Sequence, residues 1–174
     1  SDEFGVTVKT GDIHENNTVE KLEKYIALAP KIRTYEKRDV YPLTGSQKGI
    51  FAECIKNPES TIYNIPFLFE LDNSVDVQKL SAAVTAMVNA HSYLLTKVYL
   101  NDDGEMVQCP CEKEFVPEII ETTNDKFETV KNELVRPFKL EKGRLFRAEI
   151  YLTEDKKYLF TDFHHIIADG NSYD

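Results

Sequence analysis

The apolar run Tyr158-Leu159-Phe160-Thr161-Asp162-Phe163 ends at two consecutive histidines, His164 and His165, followed by Ile166-Ile167-Ala168-Asp169-Gly170. This junction constrains the fold more than any other stretch of the chain. Its length and composition predict a buried strand that gives way to a loop. Side chains alternate across a strand, so His164 and His165 are expected to point to opposite faces. One then sits in a packed layer while the other faces a cleft. A neutral imidazole in a cleft can take up a proton near neutral pH, which is what a general base for acyl transfer must do. Asp169 and Gly170 form the turn beyond the strand, Gly170 supplying backbone freedom and Asp169 a charge able to lock it.

The same residues admit a plainer reading, in which both histidines are hydrogen-bonded core residues of a strand. Adjacent strand histidines facing opposite ways cannot readily share one metal ion, and no Cys or His stands at zinc-like spacing around them, so no metal is expected. His164 and Asp169 also fit the His-x-x-x-x-Asp spacing of glycerolipid acyltransferases. The rest of the chain has to decide.

A chain of 174 residues, 41% hydrophobic and 29% charged, suits one globular domain or one domain plus a fragment. The formal net charge of -9 argues against nucleic-acid binding through phosphate neutralisation. No apolar stretch approaches the ~20 residues that span a bilayer, and the acidic start does not read as a signal peptide. Cys54, Cys109 and Cys111 are too few and too oddly spaced for a disulfide framework, which points to free thiols in a reducing cytoplasm.

Along the chain, a short helix is expected from Asn17, with Asn17 and Glu20 at capping-box spacing and Val19, Leu22, Tyr25 and Ile26 as its apolar stripe. Residues 29–40 are polar, charged and aperiodic, and read as an extended linker. A second helix starts at Thr44 or Ser46 and carries Ile50, Phe51 and Cys54 inward. Residues 63–71 alternate Ile65, Phe67, Phe69 and Leu71 as one face of a strand, which Pro66 confines to an edge or a late start. Val77, Leu80, Val84, Met87 and His91 mark a helix over 76–90, capped by Ser74 or Asp76. A strand over 93–100 should turn at Asn101-Asp102-Asp103-Gly104 into another over 106–109. A short apolar run covers 115–120, and a helix over 124–135 turns Phe127, Val130 and Leu134 inward before Pro137 ends it. Phe146, Ala148, Ile150 and Leu152 form the buried face of a strand that turns over 153–157 into the strand of the two histidines. Strand and helix runs alternate, as in an α/β arrangement.

The H-H-x-x-x-D-G spelling of His164-His165-Ile166-Ile167-Ala168-Asp169-Gly170 resembles the active-site motif of the condensation domains of nonribosomal peptide synthetases. Chloramphenicol acetyltransferase and the dihydrolipoyl acyltransferases carry related versions. Tyr41-Pro42-Leu43-Thr44 with Gln47 resembles the first motif of condensation domains, and residues 138–150 resemble the segment before their central hairpin. Where that family has Arg-His-x-x-Leu-Arg-Thr, this chain has Ala90-His91-Ser92-Tyr93-Leu94-Leu95-Thr96, without either arginine. Asp169 is therefore expected to find its cationic partner in the hairpin, at Arg144 or Arg147. Residues 1–28 resemble the last third of a peptidyl carrier protein. No Gly-Gly-x-Ser sequence is present to carry a phosphopantetheine arm.

The resemblance implies an α/β fold, a chloramphenicol-acetyltransferase-like lobe with a mixed sheet and flanking helices, preceded by a short N-terminal helical segment. It divides the chain into a carrier remnant over 1–28, a linker over 29–40 and the N-terminal lobe of a condensation domain over 41–174. A second, C-terminal lobe would follow, and without it this part is expected to be inactive. The implied reaction joins the amino group of one carrier-bound aminoacyl thioester to the carbonyl of an upstream peptidyl thioester. Upstream and downstream carriers are then the partners, with phosphopantetheine-tethered substrates and no cofactor bound covalently in this chain. By the same resemblance His165 is the catalytic residue, acting as general base or orienting the amine, with His164, Asp169 and Gly170 structural. An epimerisation domain, a free-standing acetyltransferase and a catalytically silent carrier-docking module are the rival readings.

Overall fold

The structure, a computed structural model, describes residues 5–31, 38–111 and 114–169. The chain divides into two compact units, Ser1–Arg38 and Asp39–Asp174. In the first unit, helix α1 (Thr10–Glu15) precedes helix α2 (Val19–Leu28). Thr18 caps α2, its hydroxyl accepting from the Lys21 N–H at 3.3 Å, so the helix begins beyond Asn17 and without the Asn17–Glu20 box. The α1 helix has no apolar stripe in the sequence. It is held by Asp12, whose carboxylate accepts from the Lys9 N–H at 2.8 Å. Buried Val6 bridges antiparallel to Lys31, so the first residues of the expected linker belong to this unit. Residues 32–37 of that linker lie outside the described residues.

The second unit contains two sheets. Strands β1 (Tyr41–Pro42), β3 (Thr96–Leu100) and β4 (Met106–Pro110) form an antiparallel sheet in the order β1-β4-β3. Strands β2 (Asn64–Leu71), β5 (Glu118–Glu121), β6 (Phe146–Leu152) and β7 (Lys157–His164) form the second, ordered β2-β7-β6-β5, with β5 parallel to β6 and the other pairs antiparallel. Pro66 lies on the edge strand β2, where a missing N–H does least harm. The expected strand over 93–100 is shorter than its apolar run, because Ser92–Leu95 is wound into a 3-10 turn that buries Leu94 and Leu95. The β3–β4 turn closes at Gly104, at φ 75°, with Asn101 Oδ1 accepting from the Glu105 N–H at 2.7 Å.

Among the described residues, three α-helices complete the unit. Helix α3 (Gly45–Lys56) is capped by a reciprocal Thr44–Gln47 box and buries Phe51. Helix α4 (Val77–Ala90) starts at Asp76, whose carboxylate accepts from the N–H groups of Gln78 and Lys79. Its buried residues are Ser81, Val84 and Val88, so the inward stripe is rotated from the expected one, and Met87 and His91 are exposed. Helix α5 (Asn124–Val130) tightens into a 3-10 turn over Lys131–Glu133, which leaves Val130 exposed while Phe127 and Leu134 are buried.

The central hairpin β6–β7 is covered on both faces. Phe146 and Ala148 pack with Val84 and Val88 of α4, whereas Tyr151 and Phe160 pack with Phe127 and Leu134. The expectation of one buried face on β6 is thus too simple, since Glu149 and Tyr151 of the opposite face are buried as well. A third cluster, Leu43, Phe51, Val98, Leu140, Leu145 and Ile166, joins α3 and β3 to the end of β7. Among the described residues no helix is long and apolar enough to cross a membrane.

One glycine in this core is conformationally required. Gly143 has φ 75° and ψ -170°, and a Cβ there would lie 2.1 Å from Cys111 Sγ. Gly143→Ala is expected to lose roughly 1–3 kcal/mol to backbone strain, with a further loss to the clash. Adding Cys111→Ala should recover only the steric part. Urea unfolding of the single and double variants measures this, and full recovery would show that the backbone carries no strain.

Candidate functional site

At the end of β7 the two histidines part. The His164 ring is buried, at 4% exposure, and lines a cavity of about 230 Å³ with Cys54, Phe138 and Leu140. His165 is exposed and lines a separate cleft of about 500 Å³ with Thr44, Ser46, Gln47 and Asp169. The strand proper stops at His164, so His165 is the first residue of the turn.

Hydrogen bonds settle the state of His164. Its Nδ1 accepts from the Ile166 N–H at 3.1 Å, and a backbone N–H can only donate. The neutral ring therefore carries its proton on Nε2, which faces Cys54 Sγ at 3.6 Å. Burial, with a smaller push from neighbouring His165, lowers the pKa of His164 to about 4. Burial likewise raises that of the Cys54 thiol, with Glu53 adding to it. The pair is thus neutral thiol against neutral imidazole, unlike an activated thiolate. The ring packs edge-on to Phe138 at 5.7 Å between centroids.

Phe138 is placed by a buried ionic group on the same face of the sheet. Arg147 and Asp162 are direct cross-strand partners on β6 and β7, with Nη1 and Oδ2 3.4 Å apart. Asp162 is 0% exposed, and Asn64 Nδ2 donates to its Oδ2 at 2.7 Å. Burial raises the Asp162 pKa, against the opposing effects of Asn64 and Arg147. The Arg147 guanidinium also donates to the carbonyls of Arg136 at 2.9 Å and Pro137 at 3.3 Å, and stacks 4.0 Å from the Phe138 ring centre. Beside it, Arg136 pairs with Glu149, whose other oxygen accepts from the Tyr151 hydroxyl at 2.7 Å. Burial first, and Glu149 second, raise the Tyr151 pKa.

The contacts of the two hairpin arginines expected to hold Asp169 run to other groups. Arg147 pairs with Asp162, and Arg144 donates to the Glu114 carbonyl at 3.3 Å. Asp169 is exposed in the His165 cleft, and Gly170 lies outside the described residues. Sequence reasoning misses Asp162, although its signal is present: a charged residue at inward spacing, two before His164, in the middle of an apolar strand.

The turn over 165–167 is held on three sides. The His165 N–H donates to the Tyr63 carbonyl at 2.8 Å, the Ile166 N–H to His164 Nδ1, and Gln47 Nε2 donates to the Ile166 carbonyl at 3.0 Å. Ile166 is buried in the core that also contains Phe51 of α3. The N-terminal turn of α3 lines the His165 cleft, so the partial positive charge of that helix end bears on it.

A model of the family described as "Condensation domain" matches residues 37–174. The chain belongs to the condensation-domain family. It is 37% identical over 176 residues to one of the plipastatin synthase proteins of Bacillus subtilis and 32% identical over 181 residues to surfactin synthase subunit 1 of the same organism, covering 98% of this chain and 5% of the relative in each case. In fold it is similar to the starter condensation domain of rhizomide synthetase, with a TM-score of 0.66 at 19% identity, over 77% of this chain and 34% of that one. The first condensation domain of the CDA synthetase is similar at a TM-score of 0.60 and 14% identity, over 74% of this chain and 36% of that one. The chain thus spans a small part of its curated relatives and about a third of these solved domains.

In this condensation-domain chain, the depressed pKa of His164 has a stability consequence whose sign is fixed. From its ordinary 6.5 down to about 4, the unfolded ring is protonated while the folded one is not. Stability is therefore complete above about pH 6.5, declines as the pH falls through that window, and levels off below it. The full loss is roughly 3 kcal/mol, and Asp162, whose pKa burial raises, acts in the opposite sense. His164→Asn keeps an acceptor near Nδ1 but no titrating ring. Urea midpoints at pH 7, 6 and 5 should fall for the native chain and change much less for His164→Asn. Equal slopes would remove His164 as the cause.

Proposed function

We propose that this chain forms one wall of an amide-forming acyltransferase of the nonribosomal peptide synthetase type, with His165 at the reacting centre. The observation that carries the reading is the exposed His165 ring over an open cleft, on a turn whose backbone is fixed by a neutral, buried His164. The substrates are an acyl or peptidyl thioester on the phosphopantetheine arm of an upstream carrier and an aminoacyl thioester on a downstream one. The amine nitrogen attacks the thioester carbonyl, the carbon–sulfur bond breaks, and the proton shed by the amine passes through the His165 ring to the departing sulfur, which leaves as the thiol of the upstream arm. His165 orients the amine and receives that proton. Asp169 and Gly170 shape the loop past which the arm approaches. The N-terminal unit is read as the end of a carrier domain, because the family match begins at residue 37 while the synthetase relatives align over 98% of the chain.

The chain covers about a third of solved condensation domains, so the opposite wall is assigned to a C-terminal lobe. A general base contributes only ~10²–10⁴-fold, and the remainder must come from holding both thioesters in register. The test compares amide formation between loaded carriers by the intact domain, its His165→Ala form and this chain alone. We expect a loss of ~10²–10⁴-fold for His165→Ala and background rates for the chain alone. An unimpaired His165→Ala domain would remove that residue from the reaction. Robust turnover by the chain alone would overturn the two-wall reading, and solvent exchange at the α-carbon without amide formation would favour the epimerising relatives.

A further inference from the structure

Gln47 contributes to two structures at once. Its Oε1 accepts from the Thr44 N–H at 3.0 Å and closes the capping box of α3. Its Nε2 donates to the Ile166 carbonyl at 3.0 Å, across 119 positions of sequence. The orientation of the amide is not arbitrary. The Thr44 N–H can only donate and the Ile166 carbonyl can only accept, so each end of the side chain has a fixed identity. Gln108 of β4 donates from Nε2 to the same Oε1 at 3.4 Å and holds the amide plane from the other sheet. Gln47 also lines the cleft that His165 faces.

Capping does not explain this residue. A capping box needs only an acceptor at the third helical position, and Glu supplies one as well as Gln does. The donor end of Gln47 is surplus to the helix, and it is spent on the carbonyl of Ile166, the residue that follows His165 in the turn. The other bonds that hold the turn come from the ring and carbonyl of His164 and from the carbonyl of Tyr63, at the end of β7 and just before β2. Gln47 ties the turn by a side chain to α3, the helix whose first turn lines the cleft.

We infer that Gln47 is a positioning residue for acyl transfer. Its amide sets how far the His165 ring reaches into the cleft by fixing the Ile166 peptide against the start of α3. This rests on the proposed role of His165. A displacement of about 1 Å at a reacting group is enough to slow a reaction ~100-fold, so one lost bond at this point is expected to register in kcat.

Gln47→Glu separates the two functions, because it keeps the cap and sets a carboxylate oxygen against the Ile166 carbonyl. Gln47→Ala removes both. In the intact domain, Gln47→Glu should melt within a few degrees of the native protein yet lose ~10–100-fold in kcat, with KM for both loaded carriers unchanged. Gln47→Ala should lose as much kcat and melt lower. Native kcat in Gln47→Glu would overturn the inference. So would a kcat loss matched by the same fall in melting temperature as in Gln47→Ala, which would make Gln47 a folding residue, or a change confined to KM. His165→Ala is the control that separates failures: if it leaves kcat intact, the role of His165 falls, whereas an impaired His165→Ala beside an intact Gln47→Glu removes Gln47 alone.

Discussion

The buried pair of Arg147 and Asp162 is the interaction on which the geometry behind the histidines depends. Hairpin register sets the two residues opposite each other, and Asp162 has no contact with solvent. A buried pair of this kind adds little net stability over an apolar replacement, but removing one partner costs about 3–5 kcal/mol, because the other charge is stranded. What it contributes is direction. The guanidinium has donors left after Asp162, and they reach the carbonyls of Arg136 and Pro137, where the chain enters the segment carrying Phe138. Its flat face then packs on the Phe138 ring, which stands edge-on to His164. A planar, always-charged group with five donors suits these several contacts, and lysine would not replace it.

From that fixed ring the order passes to the turn through one hydrogen bond. Because His164 does not take up a second ring proton at neutral pH, its Nδ1 remains an acceptor for the Ile166 N–H. A protonated ring would lose that acceptor and release the turn. Burial thus keeps the first histidine in the one state that supports the second. The two adjacent residues divide the work by environment: His164 enclosed and neutral in the packed layer, His165 open to the cleft.

Much of this is legible in the residues. Alternation in a strand ending at His164 separates the two imidazoles whatever the tertiary context, and the Thr44–Gln47 spacing announces the start of α3. The turn around residues 153–157 fixes the β6–β7 register, which already sets Arg147 beside Asp162 and so argues against pairing it with Asp169. That consequence is lost when alternation is counted for apolar side chains alone. The same habit hides the second buried face of β6, where Glu149 and Tyr151 are internal because they satisfy each other. The stripe of α4 is misjudged for another reason: Met87 and Val88 are both apolar, so periodicity cannot choose between them, and packing against β6 buries Val88. Gln47 cannot be assigned beyond its cap from sequence, since its second partner lies 119 positions away.

The two edges of the larger sheet differ in a way that bears on the proposed two-wall reaction. Strand β5 begins and ends with glutamate, the usual protection of an edge against stray pairing. Strand β2 exposes Phe67, Leu68 and Phe69 in succession, with Phe67 and Phe69 stacked at 6.1 Å. Phe67 also meets Phe163 edge-on, and Phe163 adjoins His164 on β7. The exposed apolar edge is therefore mechanically continuous with the strand that ends in the histidines. In the proposed reaction a thioester has to meet an amine there before it meets water, and an open cleft does not exclude water. In the proposed reading, closing that cleft supplies the exclusion, while the geometry of His165 is already set within the sheet, by residues that do not have to move when it closes.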